Sequence, residues 1–293
     1  NVGNGAIGMY LRGAGTTLNA NAGTININGT GIGVLVNTGA TANLGTSGNL
    51  TVNFTGDGGI LSFNDGGTVN LGANIAIGSG TGTLAATKDG NLSNSGTITI
   101  GNGSAGLLGV YSTGGPYIVS NTATGVINVQ TGGLGLVATG SGAAVTVQND
   151  NIINVTGKDA VGIFGENTVV TNSSSIQSTG AKSTGIYGLQ GSASNAGNIV
   201  LGDSSNGIFV KNGTMIINTG NITVGDNNSA GIYGAGTTSV QHNSGVITAG
   251  KESVGIATET GNILVGAGAV INAGTDSSYI YSASGTGTKT HLL

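Results

Sequence analysis

Gly162-Ile163-Phe164, Gly185-Ile186-Tyr187, Gly207-Ile208-Phe209 and Gly231-Ile232-Tyr233 follow one another at intervals of 22 to 24 residues. About half a unit later comes Asn-x-Gly-x-Ile-x-Val-Gly, as in Asn218 to Gly225. A fixed period of this length is the signature of a solenoid that adds one coil per unit. Outward from these four units, the anchoring glycine is read at Gly8, Gly33, Gly59, Gly82, Gly106 and Gly135 before them and at Gly255 after them. Tyr279 takes the twelfth place, and the spacings run from 22 to 29.

Strands of about five residues joined by short turns fill such a coil three times. Helical periodicity is absent, because apolar residues recur two apart. Ile98/Ile100, Ile153/Val155, Ile222/Val224, Ile247/Ala249 and Ile25/Ile27 bracket Thr99, Asn154, Thr223, Thr248 and Asn26. This is apolar-in, polar-out alternation of a strand with one wet face. Asn21, Asn94, Asn195, Asn218 and Asn243 each stand two residues before a glycine. Both residue types tolerate the positive φ of a tight corner, and stacked asparagines bond to one another along a column of strands. The expected fold is all-β, a right-handed parallel β-helix of about 11–12 coils, with residues 1–293 forming one unit. At the usual strand spacing that makes a rod roughly 55 Å long.

Composition narrows the function classes. Charged residues are 6% of the chain, the net charge is −4, and glycine accounts for 60 of 293 residues. Hydrophobic residues reach 37% at fixed places, which sets the chain apart from disordered low-complexity sequence. The absence of a basic patch argues against nucleic acid as a partner. There is no cysteine, hence no disulfide framework and no thiolate chemistry. That also suits a large secreted protein crossing an oxidising compartment. No apolar run approaches the length needed to span a bilayer, and the chain is expected to be a segment of a longer protein. Sixteen of the eighteen charges fall just before or just after the Gly-Ile-aromatic strand, so two solvated turns should flank it.

The position two after each anchor forms a column: Tyr10, Leu35, Leu61, Leu84, Leu108, Val137, Phe164, Tyr187, Phe209, Tyr233, Ala257 and Tyr281. The position just before it is also apolar, as at Ile60, Ile163, Ile186, Ile208 and Ile232. Neighbouring strand residues point to opposite faces, so one column should face out. Isoleucine is the better interior residue, which puts the aromatic column outside as a contact stripe. The alternative is a bent strand that buries both. Phe164, Tyr187, Phe209 and Tyr233 are therefore candidate binding residues. So are Tyr111 and Tyr117, which bracket Ser112-Thr113-Gly114-Gly115-Pro116 in the longest coil, because insertions in a solenoid emerge as loops.

Catalytic and cofactor motifs fail. Gly101 to Gly106 matches G-x-G-x-x-G, but no helix is expected after it. Gly245 to Lys251 resembles a P-loop, yet Glu252 stands where a hydroxyl would hold Mg²⁺. Gly132 to Val137 starts like a calcium β-roll unit and lacks its aspartate. His242 and His291 are too few for a cluster, and His242 is expected in a solvated turn. No catalytic residue, metal site or cofactor is expected.

Ser183-Thr184-Gly185-Ile186-Tyr187-Gly188, Ser229-Ala230-Gly231-Ile232-Tyr233-Gly234 and Asn195-Ala196-Gly197-Asn198-Ile199-Val200-Leu201-Gly202 together resemble the repeats of bacterial type V autotransporter passengers. The likeness is to the large fusobacterial-type surface adhesins and covers the whole chain, with degenerate units before Gly106. It implies a parallel β-helix exported to the cell surface, with the full-length protein attached to the outer membrane through a C-terminal barrel. It also implies adhesion to a host or bacterial cell-surface protein or glycan. The alternatives are an oligomerising, vacuolating-toxin-like passenger and, behind it, a polysaccharide-active β-helix enzyme.

Overall fold

Thr184–Leu189, Ser192–Asn195 and Asn198–Val200 make one coil, and Asn206–Lys211, Met215–Asn218 and Asn221–Val224 make the next. Each strand pairs in parallel with its counterpart one coil on, Ile186 on Ile208, Ala193 on Ile216 and Ile199 on Ile222. The computed structural model describes residues 1–293 apart from 46, 73, 113–114, 141–144, 284–289 and 293. Among the described residues there is no helix, and the strands stack as a β-solenoid. The Gly-Ile-aromatic strand forms a twelve-stranded ladder of its own. The other two ladders merge into one sheet, because Ser239–Ala249 and Ile263–Ala273 run through the corner between them.

The core is a stack of identical layers. Ile163, Ile186, Ile208, Ile232 and Ile256 lie above one another, all fully buried, and face Ile153, Ile176, Ile199, Ile222 and Ile247 of the third ladder, also fully buried. Each such side chain contributes roughly 1.5–3 kcal/mol of transfer free energy. The intervening Thr99, Asn154 and Thr248 are half-exposed and Thr223 is exposed, as alternation demands.

In the third and fourth strands of this ladder the anchors lie two residues later than the glycine spacing indicates. Gly82 pairs with Gly59, but both stand at the start of their strands. Ile32 pairs with Ile60 and Val34 with Ser62, which sets Leu61 opposite Gly33; Ala105 and Leu107 likewise set Leu84 opposite Gly106. Leu61 and Leu84 are therefore core residues, fully buried, and Phe63 and Ala86 stand in the outer column in their place. Ile60 is half-exposed and does not belong to the buried column, where Ser62 stands instead. The physical reason is volume. One core slot per layer is filled by two adjacent residues, as Gly33-Val34, Leu61-Ser62, Leu84-Ala85 or Gly106-Leu107, so a large anchor is matched by a small neighbour.

The corner between the second and third strands of each coil carries a buried amide column. Asn94 Nδ2 donates to Asn121 Oδ1 (2.9 Å), Asn121 to Asn149 (2.9 Å), Asn149 to Asn172 (2.7 Å), Asn172 to Asn195 (2.7 Å) and Asn195 to Asn218 (2.8 Å). The second N–H of each amide reaches a carbonyl of its own turn, such as Gly197 O from Asn195 and Gly220 O from Asn218. Asn94, Asn195 and Asn218 are the expected corner residues. Asn21 and Asn243 are not in the column, since Ala20, Leu44 and Leu71 precede Asn94 in it and His242 follows Asn218.

His242 is thus not a solvated turn residue. It is fully buried in a strand, and Asn218 Nδ2 lies 3.1 Å from its Nδ1. An amide N–H needs an acceptor there, which leaves the proton on Nε2, facing Val270 O at 3.4 Å. Burial lowers the imidazole pKa below its ordinary 6.5. The unfolded chain takes up this proton near 6.5 while the folded one resists it, so stability is expected to fall as the pH drops below that value. Denaturant unfolding between pH 7.5 and 5 should show the loss in the native protein and a flatter profile in His242→Asn, which continues the amide column. Equal profiles would disprove the assignment. The side chain of His291 lies outside the described residues.

Candidate functional site

The strand that carries each Gly-Ile-aromatic unit is entered and left through left-handed turns. On the entry side the same turn position is held by Asp159, Lys182, Ser204, Asn228, Glu252 and Asp276, with φ from 54° to 62°. On the exit side Asp89, Asn167, Gln190 and Asn212 have φ of 50° to 55°. Asparagine and aspartate tolerate this region best, and the turns place polar and charged side chains in solvent on both sides of the strand. Among the described residues the ion pairs are Lys158–Asp159 (3.8 Å) and Lys251–Glu252 (3.0 Å), both exposed and worth little on their own.

Between these rows the aromatic column faces out. Its isoleucine neighbours are fully buried, whereas Phe164, Tyr187, Phe209 and Tyr233 are half-buried. Phe164 stacks on Tyr187 with ring centroids 5.3 Å apart, and Tyr187 on Phe209 at 5.0 Å. This is the spacing of the coils themselves, so the backbone stacks the rings and each contact adds about 0.5–1.5 kcal/mol. Phe209 meets Tyr233 edge-on at 5.3 Å and 72°. Val137 and Ala257, in the same column, are too short to emerge and are buried.

Tyr233 is fixed at its tip. Its hydroxyl donates to Glu259 Oε1 (2.8 Å), and Gly236 N–H donates to Glu259 Oε2 (2.6 Å). The two donors, the backbone N–H first, hold the Glu259 pKa below its ordinary value, and the same carboxylate raises that of Tyr233.

Tyr111 is placed differently from the other candidates. It is buried, its hydroxyl donates to Gly90 O (3.0 Å), and its ring stacks on Tyr117 at 4.9 Å. Burial raises its pKa. The longest coil thus turns its aromatic residues inward: Gly109 has no side chain, and the Tyr111 ring fills the space where a Cβ would stand. Tyr117 is half-buried and packs against the core. The segment after Tyr111 is tied down by Ser112, whose N–H and hydroxyl both reach the Asp89 carboxylate. Thr113 and Gly114 lie outside the described residues.

Gly101 to Gly106 leads into a strand, not a helix, and most of Gly245 to Lys251 is itself strand. Among the described residues no three His, Asp or Glu side chains gather into a group suited to a metal. Sequence reasoning missed Phe63, hidden by the two-residue shift of its anchor, and the Glu259 contact, which joins neighbouring coils.

The fold and its outward column define the chain as a β-solenoid with a stacked aromatic face. No family model, curated protein or solved structure matches it.

Proposed function

We propose that this chain is a structural and adhesive segment of a bacterial cell-surface protein of the autotransporter-passenger kind, holding a contact face away from the cell for a host or neighbouring bacterium. The observation that carries this reading is the column Phe164–Tyr187–Phe209–Tyr233, outward and half-exposed, its first three rings stacked at 5.0–5.3 Å and the fourth set edge-on at 5.3 Å. Aromatic rings held in register by a rigid backbone present contact area at little cost in side-chain entropy. The absence of cysteine and the scarcity of charge fit export and a face that is not steered by long-range fields.

The test is binding of the purified protein to host and bacterial cells, beside Phe164→Ser/Tyr187→Ser. The double variant loses two ring contacts and about 2 kcal/mol, leaves the isoleucine column intact, and should stay folded by circular dichroism. Saturable binding by the native protein that drops at least about tenfold in the folded variant is expected. Full binding by the variant would reject the column as the contact face, and no binding by the native protein would reject adhesion by this segment.

A further inference from the structure

Past Tyr233 the aromatic column is interrupted. Ala257 pairs with Tyr233 on one side and with Tyr281 on the other, so one ring is missing from the row. Tyr233 responds by turning. The pairs before it lie at interplanar angles of 15° and 29°, whereas Phe209 and Tyr233 lie at 72°, and the Tyr233 hydroxyl reaches across to Glu259 in the next coil. An open groove of about 620 Å³ results, with Phe209, Tyr233 and the exposed Tyr281 along it and Ala257 at its floor.

The opposite wall is polar and equally fixed. Asn228, Glu252 and Asp276 line it from three consecutive coils, each at the left-handed turn position, with φ of 62°, 54° and 57°. Behind them Ser229 N–H bonds to Ser253 Oγ (3.2 Å) and Ser253 N–H to Ser277 Oγ (3.0 Å), so the coils bearing this wall are laced together. The groove therefore has an aromatic side and an acceptor-rich side, both set by the coil repeat before any ligand arrives.

We propose that this groove binds a neutral, pyranose-containing glycan. A pyranose carries an apolar C–H face and a rim of hydroxyl donors, which match the aromatic wall and the carboxylate and amide wall in turn. An apolar peptide would desolvate Glu252 and Asp276 without giving them hydrogen bonds. A cationic ligand finds a weaker field than two carboxylates suggest, because Lys251 already pairs with Glu252 at 3.0 Å. An acidic sugar would be repelled by Asp276. The inference rests on the surface-contact reading and deepens it by naming a ligand and its place.

The experiment is saturation-transfer NMR and titration of the whole chain with lactose, maltotriose and chitotriose, with sialyllactose as the acidic comparison. Ala257→Tyr restores the missing ring and closes the groove; Ala257→Leu is a smaller plug should the tyrosine disturb folding. Val246→Thr, on another face, is the control. Binding of at least one neutral saccharide, weakened by roughly tenfold or more in the folded Ala257 variant and unchanged in Val246→Thr, is expected. No binding by any neutral saccharide, binding indifferent to both Ala257 variants, or sialyllactose bound as tightly as lactose would overturn the proposal. Cell binding that survives Ala257→Tyr but is lost in Phe164→Ser/Tyr187→Ser would reject the groove while keeping the contact face. Saccharide binding without cell adhesion would do the reverse.

Discussion

Gly185→Leu is expected to unfold the middle of the solenoid or to lower its stability by at least about 3 kcal/mol. A Cβ at this position would stand 2.7 Å from Gly207 O and 3.0 Å from Ile199 Cγ2. The first of these is backbone of the next coil, locked in its ladder, and cannot withdraw without breaking parallel pairing. The same approach recurs up the column, where a Cβ on Gly162 would meet Gly185 O at 2.8 Å and one on Gly207 would meet Gly231 O at 2.5 Å. Yet Leu61 and Leu84 occupy this very place in two natural coils, beside Ser62 and Ala85. Gly185→Leu/Ile186→Ala reproduces the Leu84-Ala85 pair and should recover a good part of the loss. Thermal or urea unfolding of the two variants checks this. A double variant no better than the single one would show that the two positions do not share one core slot.

Asn195→Ala is expected to cost about 4 kcal/mol. It removes three hydrogen bonds at once: from Asn172 to Asn195 Oδ1, and from Asn195 Nδ2 to Asn218 Oδ1 and Gly197 O. Asn218 Oδ1 is left buried without its donor, and unmet buried acceptors cost more than a hydrogen bond contributes. Asn94→Leu should behave differently. Asn94 Oδ1 is already buried without a partner, and Leu71 precedes it in the column. Replacing Asn94 moves the unmet acceptor one step along to Asn121, gives up the bond to Gly96 O and extends the leucine run, so the change should cost about 1–2 kcal/mol, well below that of Asn195→Ala. Denaturation midpoints compared at constant m-value separate the two cases. Similar losses would mean that the column is not what holds this corner.

The repeat made the architecture legible because a coil period is a property of spacing alone. The outward sense of Phe164, Tyr187, Phe209 and Tyr233 was legible for the same reason, since alternation settles orientation wherever isoleucine and an aromatic residue stand side by side. Legibility ended where two sequence features look alike. Gly59 and Gly82 are glycines at nearly the right interval, but they open their strands, and the residues that fill the slot are leucines. Asn-x-Gly found three members of the amide column and missed Asn121, Asn149 and Asn172, whose turns lack glycine at that place. Spacing held the better signal: successive members lie 23 to 28 residues apart, and His242 follows Asn218 by 24. The groove at Ala257 was hidden because an alanine in a column of rings is a gap in space only once its neighbours are stacked.

The six asparagines of the column all point the same way. An amide turned end for end would set donor against donor on one side and acceptor against acceptor on the other, so the row has only two self-consistent states, and its members must choose together. The turn carbonyls decide the choice, since each accepts the second N–H of its own amide and an oxygen placed there would be repelled. Aligned amides add their dipoles as the peptide groups of a helix do. The positive pole of this row falls on His242, where it reinforces the neutral ring, and the negative pole falls on Asn94. A chain with few charges thus carries an internal polarity along its axis, and the two ends of the amide row are electrically distinct.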